Sequence, residues 1–103
     1  MKNEPRAGEF YSINTKRVRG HKGLISKRYK DNVEAVILTH SQYTKRIKNI
    51  KLQDNPQEKD ERPSYVLRRK EYAKTSQLGK KHTNIRITNS IDKSIIRNIK
   101  KRS

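Results

Sequence analysis

Residues 32 to 41 read NVEAVILTHS and decide the fold, because an apolar run of this length occurs nowhere else in the chain. As an extended strand the stretch is apolar on both faces, and only Glu34 interrupts the second face. The first face carries Val33, Ala35 and Ile37, and the second carries Val36 and Leu38. Such a strand is covered on both sides, and its β-branched residues and short length favour it over a buried helical turn. We therefore predict a central strand at 32–41, with the other elements packed around it.

The length and composition predict one small domain at residues 8–103, preceded by a loose arm at residues 1–7. The length allows a single modest core. Leucine, isoleucine, valine and phenylalanine make up about one fifth of the chain, near the boundary below which highly charged chains stay disordered, so part of the chain is expected to be unfolded alone or ordered only by a partner. Cysteine is absent, so disulfides, thiolate nucleophiles and cysteine-based zinc sites are excluded. The three histidines are far apart and no metal-binding spacing accompanies them, so neither a metal nor a cofactor is expected.

The net charge of +17 is the feature that bears most on function. Self-repulsion at this level destabilises a compact state, so we expect the chain to work beside a polyanion, with nucleic acid as the leading candidate. No stretch sets a wide apolar face opposite a basic one, and none is long enough to span a bilayer, so no membrane partner is expected. The first ten residues lack the apolar segment of a signal peptide, which predicts a soluble cytoplasmic protein.

Short β-favouring stretches predict the remaining strands. They lie at 8–14, 23–30, 47–52, 64–68 and 84–88. A basic loop is predicted at 15–22 and a proline-containing loop at 53–63. Residues 70–82 are expected to be largely irregular, with Gly79 in a turn.

One helix is predicted at 90–102, with Ser90 as its N-cap. Its apolar face would carry Ile91, Ile95, Ile96 and Ile99. The elements together predict an α+β, mostly β fold of five or six short strands in a small, strongly curved sheet or barrel, closed by the C-terminal helix.

Five basic clusters interleave cations with an apolar or aromatic residue, so that each can pack on the fold and still present charge. Lysine and arginine neutralise phosphates and release counterions, and exposed tyrosines can stack on unpaired bases. The predicted nucleic-acid-binding residues are Lys16, Arg17, Arg19, Lys22, Lys27, Arg28, Lys45, Arg46, Arg68, Arg69, Tyr29 and Tyr43. The alternative is that each cluster is only a solvated face of a strand or loop.

The catalytic candidates are Thr39-His40-Ser41, at the end of the central strand, and a nearby arginine. A hydroxyl at a strand end can bind phosphate, Arg17 or Arg19 could stabilise a pentacovalent phosphate, and His40 or His21 could move protons. The alternative is that the threonine and serine hydroxyls only close the strand by bonding backbone groups in the turn.

Three segments are similar to the MazF/PemK endoribonuclease toxins: GEFYSIN (8–14), RGHKGLIS (19–26) and VILTHS (36–41). This resemblance covers the first forty residues and the terminal helix. It implies an SH3-like barrel with a C-terminal helix, and cleavage of single-stranded RNA by Arg19 and Thr39. Gly20-His21 follow the arginine where the family has a proline.

Three classes of function stay open. The first is a binder of RNA or other single-stranded nucleic acid, such as an accessory protein of a ribosome or a bacterial mobile element. The second is a metal-independent endoribonuclease toxin with Arg19, Thr39 and His40 at its site. The third is a module that binds an acidic protein partner. Binding without cleavage is the function we favour from the sequence, because the basic clusters are numerous and the catalytic pattern is incomplete.

Overall fold

The structure is a computed structural model that describes residues 4–57 and 62–101. Nine strands, one 3₁₀ helix and one α-helix occur in the described residues. They are β1 (Phe10–Asn14), β2 (Arg19–Arg28), β3 (Asn32–Thr39), β4 (Tyr43–Thr44), β5 (Ile47–Lys48), β6 (Ile50–Lys51), β7 (Tyr65–Val66), β8 (Glu71–Lys74), the 3₁₀ helix (Thr75–Gln77), β9 (Leu78–His82) and α1 (Ser90–Arg97). The domain is therefore mostly β with one helix, as predicted, although the strands are more numerous than the five or six expected, and β4, β5, β6 and β7 have only two residues each.

The predicted central strand is confirmed, and β3 organises the sheet. The strand order is β6-β7-β3-β2-β1-β9, and every pairing between these strands is antiparallel. One edge of β3 is shared, because β8 pairs with its first half and β7 with its last two residues. The sheet does not close on itself, and β4 and β5 form a separate hairpin.

Each face of β3 lies against its own apolar cluster. The first cluster packs Val33, Ala35 and Ile37 against residues from β1, β2, β8 and β9. The second packs Val36 and Leu38 against Phe10, Leu52, Val66, Ile85 and Ile99, and the half-buried Ile95 and Ile96 cover it. Helix α1 and the segments around residues 52 and 85 thus cover the second face.

Glu34, the one charged residue of the central strand, is buried in an ion pair. Its carboxylate lies 2.9 Å from the Lys70 Nζ and accepts a hydrogen bond from the Ser26 hydroxyl at 3.0 Å. Burial would raise the pKa of Glu34, but the hydrogen bonds from Lys70 and Ser26 and the charges of Lys70 and Lys101 outweigh it and hold that pKa below its usual range. The interruption in the apolar pattern is therefore a paired carboxylate inside the fold.

Three predictions about the bounds of strands and loops need correction. The basic loop expected at 15–22 is shorter, because β2 begins at Arg19, which pairs with Asn14 in a tight hairpin. The Thr15 hydroxyl accepts hydrogen bonds from the backbone N–H groups of Arg17 and Val18 and so holds this turn. The central strand ends at Thr39, and the stretch expected at 47–52 is divided between β5 and β6 by the buried Asn49.

The expectation of irregular structure at 70–82 is wrong. This segment forms β8, the 3₁₀ helix and β9, and Gly79 lies in β9 beside Ser12 instead of in a turn. Strand β8 buries Glu71 and Ala73, and β9 buries only Leu78. The buried positions of β8 and β9 therefore do not form an alternating apolar pattern that the sequence would show. Pairing with β3 and β1 imposes the extended backbone.

The strand expected at 84–88 is absent from the structure. Within the described residues, Ile85 makes only an isolated bridge, with Gln57. The Ile85 side chain is buried, so the apolar residues of this stretch indicate packing on the core instead of a strand.

The helix is confirmed, but its bounds and its orientation differ from those predicted. Asn89, not Ser90, is the N-cap, and its side chain accepts from the N–H groups of Ile91 and Asp92. Asp92 is buried and its carboxylate accepts from the N–H groups of Gln53 and Asp54 at 2.7 and 3.0 Å. Because Asp92 points inwards, Ile91 points outwards and is 56% exposed.

The arm predicted at residues 1–7 lies partly outside the described residues. Within the described part, Pro5 is buried and its carbonyl accepts a hydrogen bond from the Arg28 guanidinium at 3.4 Å. Among the described residues, no helix has the length and apolar content needed to cross a bilayer.

Candidate nucleic-acid interface

Two cavities bring together candidate site residues that lie far apart in the sequence. The first, here called the strand-end cavity, has a volume of about 310 Å³ and lies where β2 begins and β3 ends. Antiparallel pairing, with Gly23 opposite Ile37, brings these two ends to the same edge. Its lining consists of Gly20, His21, Lys22, Leu38, Thr39, His40, Ser41, Gln57 and Arg62.

Both histidines of the strand-end cavity have one ring nitrogen close to a backbone carbonyl. The Nδ1 atom of His21 lies 3.1 Å from the Arg19 carbonyl oxygen, and that of His40 lies 3.0 Å from the Pro63 carbonyl oxygen. A carbonyl can only accept, so Nδ1 carries the proton in both rings. In its neutral form each imidazole then has its lone pair on Nε2.

The structure divides the predicted catalytic residues. Thr39 and His40 line the strand-end cavity, whereas Arg19 is exposed at the start of β2 and is not part of the lining. The Thr39 hydroxyl accepts a hydrogen bond from the Ser41 N–H at 3.2 Å, which is the turn-closing role considered as the alternative. Lys22 and Arg62 supply the cations of this cavity.

A polar row beside the cavity joins the predicted Lys22 to three residues that were not predicted from the sequence, Gln57, Ser12 and His82. The Lys22 Nζ donates a hydrogen bond to the Gln57 Oε1. On the neighbouring strands, the Ser12 Oγ and the His82 Nε2 form a hydrogen bond of 2.8 Å. Burial, together with the charges of Lys22 and Lys80, lowers the pKa of His82, so its ring is neutral over a wider pH range than usual. No local motif announces these residues, because they come from separate segments that only the sheet register aligns.

The second cavity, here called the basic cavity, has a volume of about 300 Å³ and collects four predicted nucleic-acid-binding residues. Arg17 comes from the β1–β2 turn, Lys45 from the β4–β5 hairpin, and Arg68 and Arg69 from the segment before β8. Lys45 is the first residue of the two-residue hairpin turn and has a φ of 55°. The turn thus places Lys45 and its neighbour Arg46 at the hairpin tip.

Asn49 gives the basic cavity a neutral polar group. Its Nδ2 donates to the Ser41 carbonyl at 3.0 Å and to the Thr44 hydroxyl at 2.8 Å, which fixes the orientation of the amide. The Oδ1 atom is buried and has no hydrogen-bond partner in the part of the chain that the structure describes. Buried polar atoms are normally paired, so this acceptor suits a ligand or water that donates.

The other predicted binding residues lie outside the two cavities. Lys16 is exposed in the β1–β2 turn, and Lys27 and Arg28 end β2. The Lys27 Nζ lies 5.2 Å from the centre of the Tyr29 ring, a cation–π contact. Tyr43, 55% exposed in β4, lies in the hairpin that carries Lys45 and Arg46.

Comparison of the chain with protein-family models, curated proteins and solved structures finds no match. Functional proposals therefore depend on the chain's own residues and their geometry.

Proposed function

We propose that this protein binds single-stranded nucleic acid, with RNA favoured, by neutralising backbone phosphates at the basic cavity. The observation that carries the proposal is the convergence of Arg17, Lys45, Arg68 and Arg69 from three separate segments around one cavity. Assembling these cations in a chain of net charge +17 costs electrostatic energy, which a bound polyanion would offset. Lysine and arginine at such a cavity suit phosphate groups and the release of counterions.

Two neighbouring groups favour an unpaired strand as the ligand. Tyr43 exposes more than half of its surface close to the hairpin turn, where an unpaired base can stack on its ring. The Asn49 Oδ1 has no hydrogen-bond partner within the described residues and is an acceptor for the N–H of an unpaired base that enters the basic cavity. Bases of a duplex are paired and stacked, so neither contact is open to them.

The strand order also supports the SH3-like barrel that the resemblance implied. Strands β1, β2, β3 and β8 pair in chain order, and β9 returns to β1 after a 3₁₀ helix. We propose that these five strands are an SH3-like barrel, with residues 40–70 inserted between its third and fourth strands. The inserted segment would then carry most of the basic cavity.

The binding proposal is tested by fluorescence anisotropy of a labelled single-stranded oligouridine over a series of salt concentrations. We expect Arg17→Ala and Arg69→Ala to weaken binding and each to lower the salt slope by roughly one. Arg86→Ala is the matched control, because Arg86 is exposed and lies outside the basic cavity. Affinity that does not change with salt, or three variants with the same affinity, would contradict the proposal.

A second candidate function, metal-independent RNA cleavage, is favoured by the strand-end cavity. His21, His40, Lys22 and Arg62 line this one space together with Thr39. One imidazole would accept the proton of a ribose 2′-OH as its oxygen attacks phosphorus, and the other would protonate the departing 5′ oxygen. The products would be a 2′,3′-cyclic phosphate and a free 5′-hydroxyl. Lys22 or Arg62 would stabilise the phosphorane charge.

The cleavage candidate is tested with labelled RNA in the presence of a chelator. His21→Asn and His40→Asn retain an N–H for the backbone carbonyl but remove Nε2, so we expect each to lower the rate by about 10²–10⁴. Arg19→Ala should leave the rate nearly unchanged, because Arg19 lies outside the strand-end cavity. A large loss in Arg19→Ala with little loss in the histidine variants would favour the arrangement implied by the toxin resemblance. If the wild-type protein does not cleave RNA, nucleic-acid binding is the only proposed function that remains.

A further inference from the structure

An apolar groove runs along the exposed side of α1, with a volume of about 830 Å³. It is called here the helix groove. Its apolar lining includes Ile47 and Ile50 from β5 and β6, and Ile91 and Ile95 from α1. Ile47 is 59% exposed and Ile91 is 56% exposed, and no other isoleucine, leucine or valine among residues 4–57 and 62–101 is exposed to this extent. Two such residues on opposite walls of one groove indicate a surface that a partner covers.

The walls of the helix groove are held in place by the fold. The backbone N–H of Lys70 donates to the Lys100 carbonyl at 3.0 Å, which ties the segment after α1 to the segment before β8. The Arg68 Nε donates to the Lys48 carbonyl at 2.6 Å and joins the same segment to β5. The groove is therefore formed before any partner arrives, which lowers the entropic cost of binding.

Cations surround the apolar floor. Arg68, Arg69 and Lys100 line the helix groove, and no aspartate or glutamate lines it within the described residues. An occupant therefore needs apolar side chains for the isoleucines and negative charge for the rim. A second copy of this chain would bring another charge of +17 to the same place, so self-association is disfavoured. Nucleic acid fits poorly, because the lining offers aliphatic side chains and no aromatic ring for stacking.

We propose that the helix groove binds an acidic, amphipathic segment of another protein. Such a segment would place one apolar stripe on Ile47, Ile91 and Ile95 and direct its carboxylates to Arg68 and Arg69. Carboxylates form paired hydrogen bonds with guanidinium groups, which gives the rim specificity as well as attraction. The helix groove is separate from the strand-end cavity but shares Ile47, Arg68 and Arg69 with the basic cavity, so a bound segment and a nucleic acid would compete for these side chains. The proposal does not depend on the proposed nucleic-acid binding.

The test uses a synthetic helical peptide with leucines at positions i, i+3, i+4 and i+7 and glutamates on the opposite face. Binding to the full chain is measured by isothermal titration calorimetry at moderate salt. We expect Ile47→Ser, Ile91→Ser and Arg69→Glu each to weaken binding about tenfold or more. Tyr43→Ser and Lys27→Glu are the matched controls, because they make the same kind of change at exposed positions outside the groove. These two should retain nearly wild-type affinity, and thermal melts verify that all five variants fold.

Four results would overturn the proposal. Equal binding of a peptide with glutamine in place of glutamate would remove the role of charge, and equal losses in Arg69→Glu and Lys27→Glu would show only the effect of net charge. Sedimentation that shows dimers, dispersed by Ile91→Ser, would assign the helix groove to a second copy. If oligouridine binding responds to Ile47→Ser and Ile91→Ser while the peptide does not bind, the groove belongs to nucleic acid.

Discussion

Replacing Ile37 with alanine tests the packing on which the whole domain depends. Ile37 lies in the middle of β3, is fully buried, and belongs to the first apolar cluster. Its Cδ1 approaches the backbone of the neighbouring strand at Gly23, where an added Cβ would lie 3.2 Å from it. Gly23 has no side chain, so at this point only the neighbouring Ile13 side chain could move towards the space that the alanine would leave.

The expected loss of stability follows from this environment. Isoleucine to alanine removes three carbon atoms, worth about 2.4 kcal/mol of transfer free energy at roughly 0.8 kcal/mol each. The unfilled cavity adds to this, so the free energy of unfolding should fall by about 2–5 kcal/mol. In a domain of this size, each kcal/mol lowers Tm by roughly 4–8 °C, so Ile37→Ala should melt at least about 10 °C below the wild type.

The matched control for this experiment is Ile91→Ala, the same chemical change at a residue that is 56% exposed. Its effect should remain within about 0.5 kcal/mol of zero. Both variants and the wild type would be melted in parallel, followed by circular dichroism, and unfolded in urea. Ile37→Ala and Ile91→Ala melting within a few degrees of each other would refute a tightly packed core beneath β3.

Three further predictions concern residues that hold the fold together. Gly23→Ala should destabilise the protein by about 1–3 kcal/mol in urea unfolding, because the new Cβ would collide with the Ile13 Cδ1, and Ile13→Val in the same chain should restore most of the loss. Asp92→Ala should cost about 1–3 kcal/mol by leaving two backbone N–H groups without their acceptor, while Asp92→Asn should recover part of it, and equal melting of all three proteins would argue against this role. The pKa of Glu34 is lowered in the folded state, so its contribution to stability is present above the unfolded value of about 4.3 and is lost as pH falls through the folded pKa. Melting temperatures between about pH 3 and 6 should therefore fall more steeply on acidification for the wild type than for Glu34→Gln, and parallel curves would contradict the ion pair.

Local pattern was enough to predict the central strand. The alternation from Val33 to Leu38 requires cover on both faces, and β3 has that cover whatever the details of its neighbours. The existence of α1 also followed from local signals, since isoleucines at helical spacing need a core to face. The rotation of α1 about its axis did not follow from local signals. Asp92 turns inwards and accepts hydrogen bonds from the backbone at residues 53 and 54, and this long-range contact moves Ile91 into solvent.

The segment from Lys70 to His82 shows what only tertiary structure decided. Its two strands bury Glu71, Ala73 and Leu78, a set without a recognisable apolar period. They are extended because the edges of β3 and β1 present backbone groups that need partners, and an edge is a property of the assembled sheet.

The candidate site divides in the same way. The sequence alone determined the charge of +17 and the basic clusters, and from these a polyanionic partner could be predicted. Only the tertiary structure decided that Arg17, Lys45 and Arg69 share one cavity, and that His21 and His40 line another without Arg19. Spacing along a chain carries little information about distance in space when hairpin turns and strand register set the geometry. Charge is a sum over residues and is readable from composition, whereas a site is a set of distances and exists only once the sheet has formed.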